Sequence, residues 1–204
     1  MKVIKPSYKI ETPIDRNYIY TTLELYGRNA YKSEDKITEE SAEKFISILI
    51  KKGHESVLEH SNLTIRFICD RGVTHEIVRH RLVAYTQEST RYCNYSGKDI
   101  LFIKPFFWEA SPIKYSEWEY VMGVCELAYN TLIKEGASPQ EARSVLPNSL
   151  KTEIVCTTNI REWRHILRLR TSKAAHPQMK EVMVPLLKEL KEKLPILFGD
   201  IESV

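Results

Sequence analysis

The sequence predicts an α+β fold: a central antiparallel or mixed sheet packed with several helices, in a single domain over residues 1–204. Three observations lead there. Leu63–Asp70 alternates apolar and polar residues with the period of two of a half-buried strand, whereas other stretches repeat apolar residues at i, i+3 and i+4. Strand-like and helical segments do not alternate as regular β-α-β units, which argues against a parallel doubly wound sheet. At 204 residues and 43% hydrophobic composition, the chain is long enough to bury one substantial core.

Taken in order, the clearest helix is residues 38–52, where Ala42, Phe45, Ile46, Leu49 and Ile50 form one stripe. Glu39 and Glu40 suit its first turn, Lys51 and Lys52 its last, and Gly53 its C′ position. The strand at 63–70 is followed by a short helix over 72–81 and an irregular polar stretch to about residue 100. Leu101–Phe107 is strand-like, with Pro105 marking an edge or an end. Trp118, Val121, Met122, Cys125, Tyr129 and Leu132 make a second helical stripe, closed by Gly136. Ser138-Pro139-Gln140-Glu141 is a capping box with proline at N1, so a helix starts there and must stop or kink by Pro147. Glu153–Thr157 reads as a strand, Asn159 as the cap of a helix to about 170, and 178–194 as a last helix kinked by Pro185.

Composition excludes several function classes. The seven glycines, at 27, 53, 72, 97, 123, 136 and 199, are too scattered for a G-x-G-x-x-G turn or a Walker loop. Any phosphate must therefore be met by side chains, chiefly arginine. Thirty Lys+Arg against 27 Asp+Glu give a net charge of +3, short of a dedicated nucleic-acid binder. The four cysteines include no C-x-x-C pair, so neither a disulfide framework nor a zinc knuckle is expected. Apolar runs reach only about six residues and none opens the chain as a leader, so no membrane span is expected. The expectation is a reduced, soluble, cytoplasmic protein.

The histidines do not make a metal site. His75 and His80 are five residues apart, which places them about 140° apart around a helix, whereas H-E-x-x-H needs one face. In His54-Glu55-Ser56-Val57-Leu58-Glu59-His60 the His54–Glu59 spacing is wrong for the inverted motif. No metal is expected.

The arginines are more informative. Arg79-His80-Arg81 through Arg91-Tyr92 gathers three guanidiniums, a histidine, hydroxyls and the Gln87 amide within fourteen residues. A second cluster, Asn159 to Arg170, sets Ile160, Trp163 and Leu167 on one face and Arg161, His165 and Arg168 on another. A solvated basic face with weak salt bridges is the ordinary reading of such runs, and the 160–170 helix alone also suits nucleic acid. Mixed hydroxyls, amide and guanidiniums in an irregular segment instead favour a small anionic ligand with a base edge.

At these residues the chain resembles flavin-dependent thymidylate synthases. The family signature is Arg-His-Arg, seven residues, Ser, then Arg-Tyr; here it is Arg79-His80-Arg81, seven residues, Ser89, then Arg91-Tyr92. Gly53-His54-Glu55-Ser56, Glu141–Pro147, Asn159-Ile160-Arg161 and Leu169-Arg170 extend the resemblance over residues 40–180. What it implies is methylation of dUMP at C5, with FAD as cofactor, 5,10-methylenetetrahydrofolate as carbon donor and NADPH as reductant, in a homotetramer and without a cysteine nucleophile. By position, FAD would meet Ser56, Arg79, His80, Arg81, Gln87, Asn159, Arg161 and His165. The nucleotide would meet Glu76, Arg79, Gln87, Glu88, Ser89, Thr90, Arg91, Arg143 and Arg170, with Arg170 as the catalytic cation beside an ionised uracil. His54 would lie near flavin and folate. Ala84, Thr86 and Glu76 stand where the family often has Ser, Asn and Gln.

Overall fold

The computed structural model describes residues 1–202. The elements in chain order are β1 (Lys2–Ile4), β2 (Ser7–Ile10), α1 (Arg16–Asn29), α2 (Ser41–Lys51), β3 (Asn62–Asp70), α3 (Arg71–Ile77) and β4 (Ala84–Gln87). They continue as β5 (Leu101–Ile103), α4 (Pro112–Lys134), α5 (Pro139–Ala142), β6 (Lys151–Asn159), α6 (Ile160–Arg170), α7 (Pro177–Lys193) and α8 (Pro195–Phe198). Helix and sheet are mixed as expected. β2, β3, β6 and β4 form a four-stranded sheet in that order, and β1 pairs in parallel with β5, Val3 opposite Phe102. Thr64 meets Thr157, and Arg66 meets Glu153, so β3 and β6 run antiparallel. Among the described residues no helix is long and apolar enough to cross a membrane.

The chain divides into two compact units, residues 1–8, 66–81 and 85–155 in the first, and 9–65, 82–84 and the chain from Cys156 onward in the second. The core of the first is built by Tyr95, Ile100, Phe102, Trp118, Met122, Tyr129, Ala142 and Leu150. α4 contributes Trp118, Met122 and Tyr129 to it and leaves Ile113, Tyr120, Val124 and Leu127 exposed on its other side. Residues of β3 and β6 on one side of each strand, Phe67, Cys69, Ile154 and Cys156 among them, are fully or almost fully buried. Burial pushes the Cys156 thiol up to about 12, so it is an inert filler rather than a thiolate.

The second unit is mainly helical. α1 and α2 pack together through Ile19, Leu23, Ala42, Ile46 and Leu49, and Gly27 lets them approach. A Cβ at Gly27 would stand 2.6 Å from the Phe45 ring. Inside this contact Glu24, fully buried, accepts from Arg28 and from the Ser41 hydroxyl, so the buried charge is paired. α6 buries Ile160, Trp163 and Leu167, the stripe expected from sequence, together with Ile166, and packs against α7, α8 and the 3-10 turn at Glu55–His60.

Arg164, in the same helix, is wholly buried. It makes a two-pronged bond to the Asp200 carboxylate, 2.7 Å on each side, donates to Glu55 at 3.1 Å, and donates to the Leu197 carbonyl. That single guanidinium ties α6 to the Glu55–His60 turn and to the end of α8. Burial works to raise the Asp200 pKa, but the hydrogen bond and charge of Arg164, with Arg168, outweigh it and hold the carboxyl below its ordinary value.

Several sequence expectations are corrected. The helix expected to begin near residue 38 starts at Ser41, after Glu39 and Glu40, because Glu40 is the cap residue. The helix expected over 72–81 stops at Ile77, and β4 occupies a stretch expected to be irregular. The capping box at Ser138 forms, yet its helix ends at Ala142 and passes into a 3-10 turn at Arg143–Val145. The strand-like run to Phe107 ends at Ile103, before Pro105. α1 was not anticipated, because charged and polar residues break up its apolar stripe.

Two stability predictions follow from these contacts. Gly27→Ala should destabilise the protein by about 1–3 kcal/mol in urea titration, because overpacking against Phe45 outweighs the gain in helix propensity. Asp200 has a depressed folded-state pKa, so its stabilisation is complete above the ordinary carboxylate value and is lost as the pH falls through the folded one. Asp200→Asn should therefore lower stability at about pH 7 by roughly 1–3 kcal/mol. The gap to the wild type should close on acidification below about pH 4, measured by urea midpoints across pH.

Candidate functional site

Two nine-residue strands end in the same local device. At the end of β3, Asp70 adopts extended backbone and its carboxylate accepts from the Val73 N–H at 2.8 Å, capping α3. At the end of β6, Asn159 does the same for the Glu162 N–H at 2.8 Å, capping α6. Each cap satisfies an otherwise orphaned helix donor and turns the chain sharply from strand to helix. Gly72 is part of the first turn: a Cβ there would lie 2.9 Å from the capping oxygen of Asp70. The first arginine cluster follows the helix that the Asp70 cap starts, and the second lies on the helix that the Asn159 cap starts.

In the first unit, α3 ends at Ile77, and Arg79-His80-Arg81 occupies the turn that follows. The Tyr85 hydroxyl pins this turn by sharing its one proton between the carbonyls of Ile77 and His80, at 2.7 and 2.8 Å. The result is that Arg79 and Arg81 are exposed while His80 is only 6% exposed. Gln87, at the end of β4, donates to the hydroxyls of Thr74 and Thr152, at 2.9 and 3.3 Å. Ser89 then starts a tight turn, its carbonyl accepting from the N–H groups of Tyr92 and Cys93. Thr90 is buried and accepts from Arg143 at 3.3 Å, while the Arg91 guanidinium lies over the Tyr92 ring, 5.3 Å from its centroid. Glu76 is half-buried on α3.

Beside this turn is a pocket of about 410 Å³, lined by Arg66, Thr86, Gln87, Glu88, Cys93, Lys151, Glu153 and Val155. Its volume is in the range of small-molecule sites. A chain of charges crosses it. The Tyr95 hydroxyl donates to Glu88 at 2.8 Å, Lys151 bridges Glu88 and Glu153 at 3.0 and 2.7 Å, and Arg66 reaches Glu153 at 3.4 Å. The hydrogen bond from Lys151 holds the Glu153 carboxyl below its ordinary pKa, against a smaller effect of burial. Burial and the Glu88 hydrogen bond raise that of Tyr95, so its phenol stays protonated.

In the second unit, the Glu55–His60 turn and the start of α6 are fastened together by the Ile160 N–H, which donates to the Ser61 carbonyl at 2.9 Å. His54 and Ser56 are exposed at the start of that turn. Arg161 and His165 are exposed on α6, Arg161 paired with Glu59 at 2.6 Å, and Arg170 is half-buried at its last position. Asn159 uses its carbonyl oxygen as the cap, which leaves its amide N–H groups for a ligand.

Of the residues singled out from sequence, the first unit therefore places Gln87 and Glu88 at the pocket, Ser89, Thr90, Arg91 and Arg143 at the turn after β4, and Arg79 and Arg81 at the turn after α3. The second gathers His54, Ser56, Asn159, Arg161 and His165 around a turn and a helix start. Sequence reasoning missed Arg66, Lys151, Glu153 and Val155. The signal that finds them is the strand period: Lys151, Glu153 and Val155 alternate with the buried Thr152, Ile154 and Cys156. Starting that strand at Glu153 rather than Lys151 hid the lysine.

Against known proteins, residues 15–196 match the model of a family described as thymidylate synthase complementing protein. A flavin-dependent thymidylate synthase of Pyrococcus furiosus is 32% identical over 174 residues, covering 84% of this chain and 71% of the relative. Another, of Thermococcus onnurineus, is 33% identical over 80% of this chain and 69% of its own length. That of Corynebacterium glutamicum is 31% identical over 97% of this chain and 85% of its own length.

Proposed function

We infer the function from a premise of membership: the chain belongs to the thymidylate synthase complementing protein family, whose matching relatives are flavin-dependent thymidylate synthases. It is a methyltransferase that converts dUMP to dTMP, with 5,10-methylenetetrahydrofolate supplying the carbon and NADPH the reducing equivalents, and FAD as its cofactor. The observation that carries this reading is the turn at Arg79-His80-Arg81, pinned by Tyr85 and leading through β4 to Ser89 and Arg91 beside a pocket.

The residues fit a flavin dinucleotide in charge and exposure. In the first unit, Arg79 and Arg81 are exposed donors that suit a phosphate without a glycine loop. In the second unit, Arg161 and His165 are exposed donors of the same kind. Ser56, Gln87 and the Asn159 amide add neutral hydrogen-bonding groups, and His54 stands exposed next to Ser56 for flavin or folate. His80, mostly buried, acts through its backbone carbonyl, which holds the Tyr85 hydroxyl and so shapes the arginine turn. When bound, FAD supplies the electron transfer between the nicotinamide and the one-carbon unit.

For the nucleotide, Arg143, Arg91 and Arg79 neutralise the phosphate, and Ser89 and Thr90 offer hydroxyls and backbone to it. Gln87 and Glu88 lie at the pocket, where a base edge meets polar groups. Arg170 stabilises the uracil ring as its N3-ionised anion, which raises electron density at C5 and makes that carbon nucleophilic. Glu76 is among the nucleotide contacts, and its charge requires a guanidinium beside it wherever it faces phosphate. None of the four cysteines is needed as a nucleophile; Cys69 and Cys156 are buried, and Cys156 is held as a thiol. The protein works in the cytoplasm as a homotetramer, and the exposed apolar side of α4, with Tyr120 and Leu127 at 70% and 68% exposure, supports association. It uses neither nucleic acid nor membrane.

Tritium release from C5-labelled dUMP, with FAD, NADPH and methylenetetrahydrofolate present, tests the reading; a folded, FAD-loaded protein that releases none refutes it. Arg170→Ala should fold and keep FAD but lose roughly 100-fold or more in turnover, the scale of removing one transition-state donor. Replacing all four cysteines by Ala or Ser should preserve tritium release in protein that remains folded; loss traced to Cys93 alone would indicate covalent catalysis.

A further inference from the structure

Lys151 belongs to none of the motifs that link this chain to its family, yet it lines the pocket and bridges two of its carboxylates. It stands on the open side of β6 with Glu153 and Val155, and its side chain is 15% exposed. Its ammonium is held from two directions, by Glu88 at 3.0 Å and by Glu153 at 2.7 Å. An ammonium carries three N–H donors, and no further protein partner for Lys151 exists among the described residues. Burial works against its charge, but the hydrogen bonds to Glu153 and Glu88 outweigh that and raise its pKa, so the third N–H is always present. Glu88 and Lys151 also border a smaller cavity of about 160 Å³ with Tyr95 and Leu150, so the pair forms a wall rather than a surface bridge.

The charges along this wall alternate, Arg66, Glu153, Lys151, Glu88, and sum to zero. A neutral lattice gives a phosphate dianion no net attraction. It does present donors and acceptors at fixed positions, which suits the alternating carbonyl and N–H edge of a pyrimidine, and Val155 offers an aliphatic flank for a ring. The cations suited to phosphate, Arg91 and Arg143, are instead on the Ser89–Thr90 turn and its partner.

We propose that Lys151 is a nucleotide-binding residue that donates its third N–H to a carbonyl oxygen of the pyrimidine ring, with Glu88 and Glu153 as the positioning residues that aim it. This rests on the reading of the chain as a dUMP-binding enzyme.

The test is calorimetric titration of the FAD-loaded protein with dUMP and with deoxyribose 5-phosphate, which lacks the base. In Lys151→Met, dUMP binding should weaken roughly tenfold to hundredfold, the worth of a hydrogen bond from a charged donor. The melting temperature should fall, because Glu88 and Glu153 lose their shared partner. In the folded variant, affinity for deoxyribose 5-phosphate and FAD content should stay at wild-type values, and Lys151→Arg should recover part of the loss. Unchanged dUMP affinity overturns the proposal. Equal losses for both ligands also overturn it, because the lysine would then serve the phosphate or the general field. Should Lys151→Met not fold, the double variant Lys151→Gln/Glu153→Gln keeps the local charge balanced and gives the same readout. Wild-type protein that retains FAD but binds no dUMP refutes the underlying functional reading, and this inference with it.

Discussion

A helix that begins where a strand ends leaves its first N–H groups without acceptors, and in this protein one side chain at each of two junctions supplies what is missing. Asp70 and Asn159 each take extended backbone, accept an N–H from the third helical residue, and turn the chain through a corner. One arginine cluster follows the short helix that begins at the Asp70 corner and the other lies on the helix that begins at the Asn159 corner, so the caps fix the helices that carry the functional cations. A side chain at Gly72 would crowd the capping oxygen of Asp70. Losing such a cap costs about 1 kcal/mol in a typical helix. Here it would also misplace the Arg79–Arg81 turn, whose own fixation comes from the Tyr85 hydroxyl.

The arginines divide by burial into two kinds with different duties. Arg164 and Arg28 are enclosed and paired with carboxylates, and they hold helices in place. A buried guanidinium stripped of its partner is expensive, so these residues have little freedom to serve a ligand. Arg79, Arg81, Arg91 and Arg143 are exposed, and Arg161 carries only a surface pair with Glu59. Exposed pairs contribute at most about 1 kcal/mol, so Arg161 can exchange its carboxylate for an anionic ligand at small loss. The same helix, α6, therefore carries a structural arginine and a ligand-ready one three positions apart.

The pocket shows how a strand carries chemistry without a motif. Along β6 every second residue is buried in the core, and the intervening Lys151, Glu153 and Val155 face the pocket. The charged pair was in plain view as Lys151-Thr152-Glu153, but its meaning depends on Glu88 and Arg66, which lie 63 and 85 residues away along the chain. Opposite charges brought together in a partly desolvated wall fix one another, and that is what turns an ordinary lysine into a directed donor.

By itself the sequence determined the mixed helix-and-sheet character, the α2 and α6 stripes, the Asn159 cap, the Gly53 and Gly136 helix ends, the absence of glycine phosphate loops and the family. Each of these rests on local spacing, on propensity or on an ordered motif, all of which are written along the chain. Only the tertiary structure decided the rest. It revealed α1, whose apolar positions are broken up by polar ones, and β4, whose pairing partner lies far off in sequence. It separated Arg164 from its exposed neighbours and buried His80 in the middle of the Arg-His-Arg turn. It also joined Glu88, Lys151, Glu153 and Arg66 into one wall. These features depend on which distant groups share a low-dielectric space, and periodicity along the chain carries no record of that.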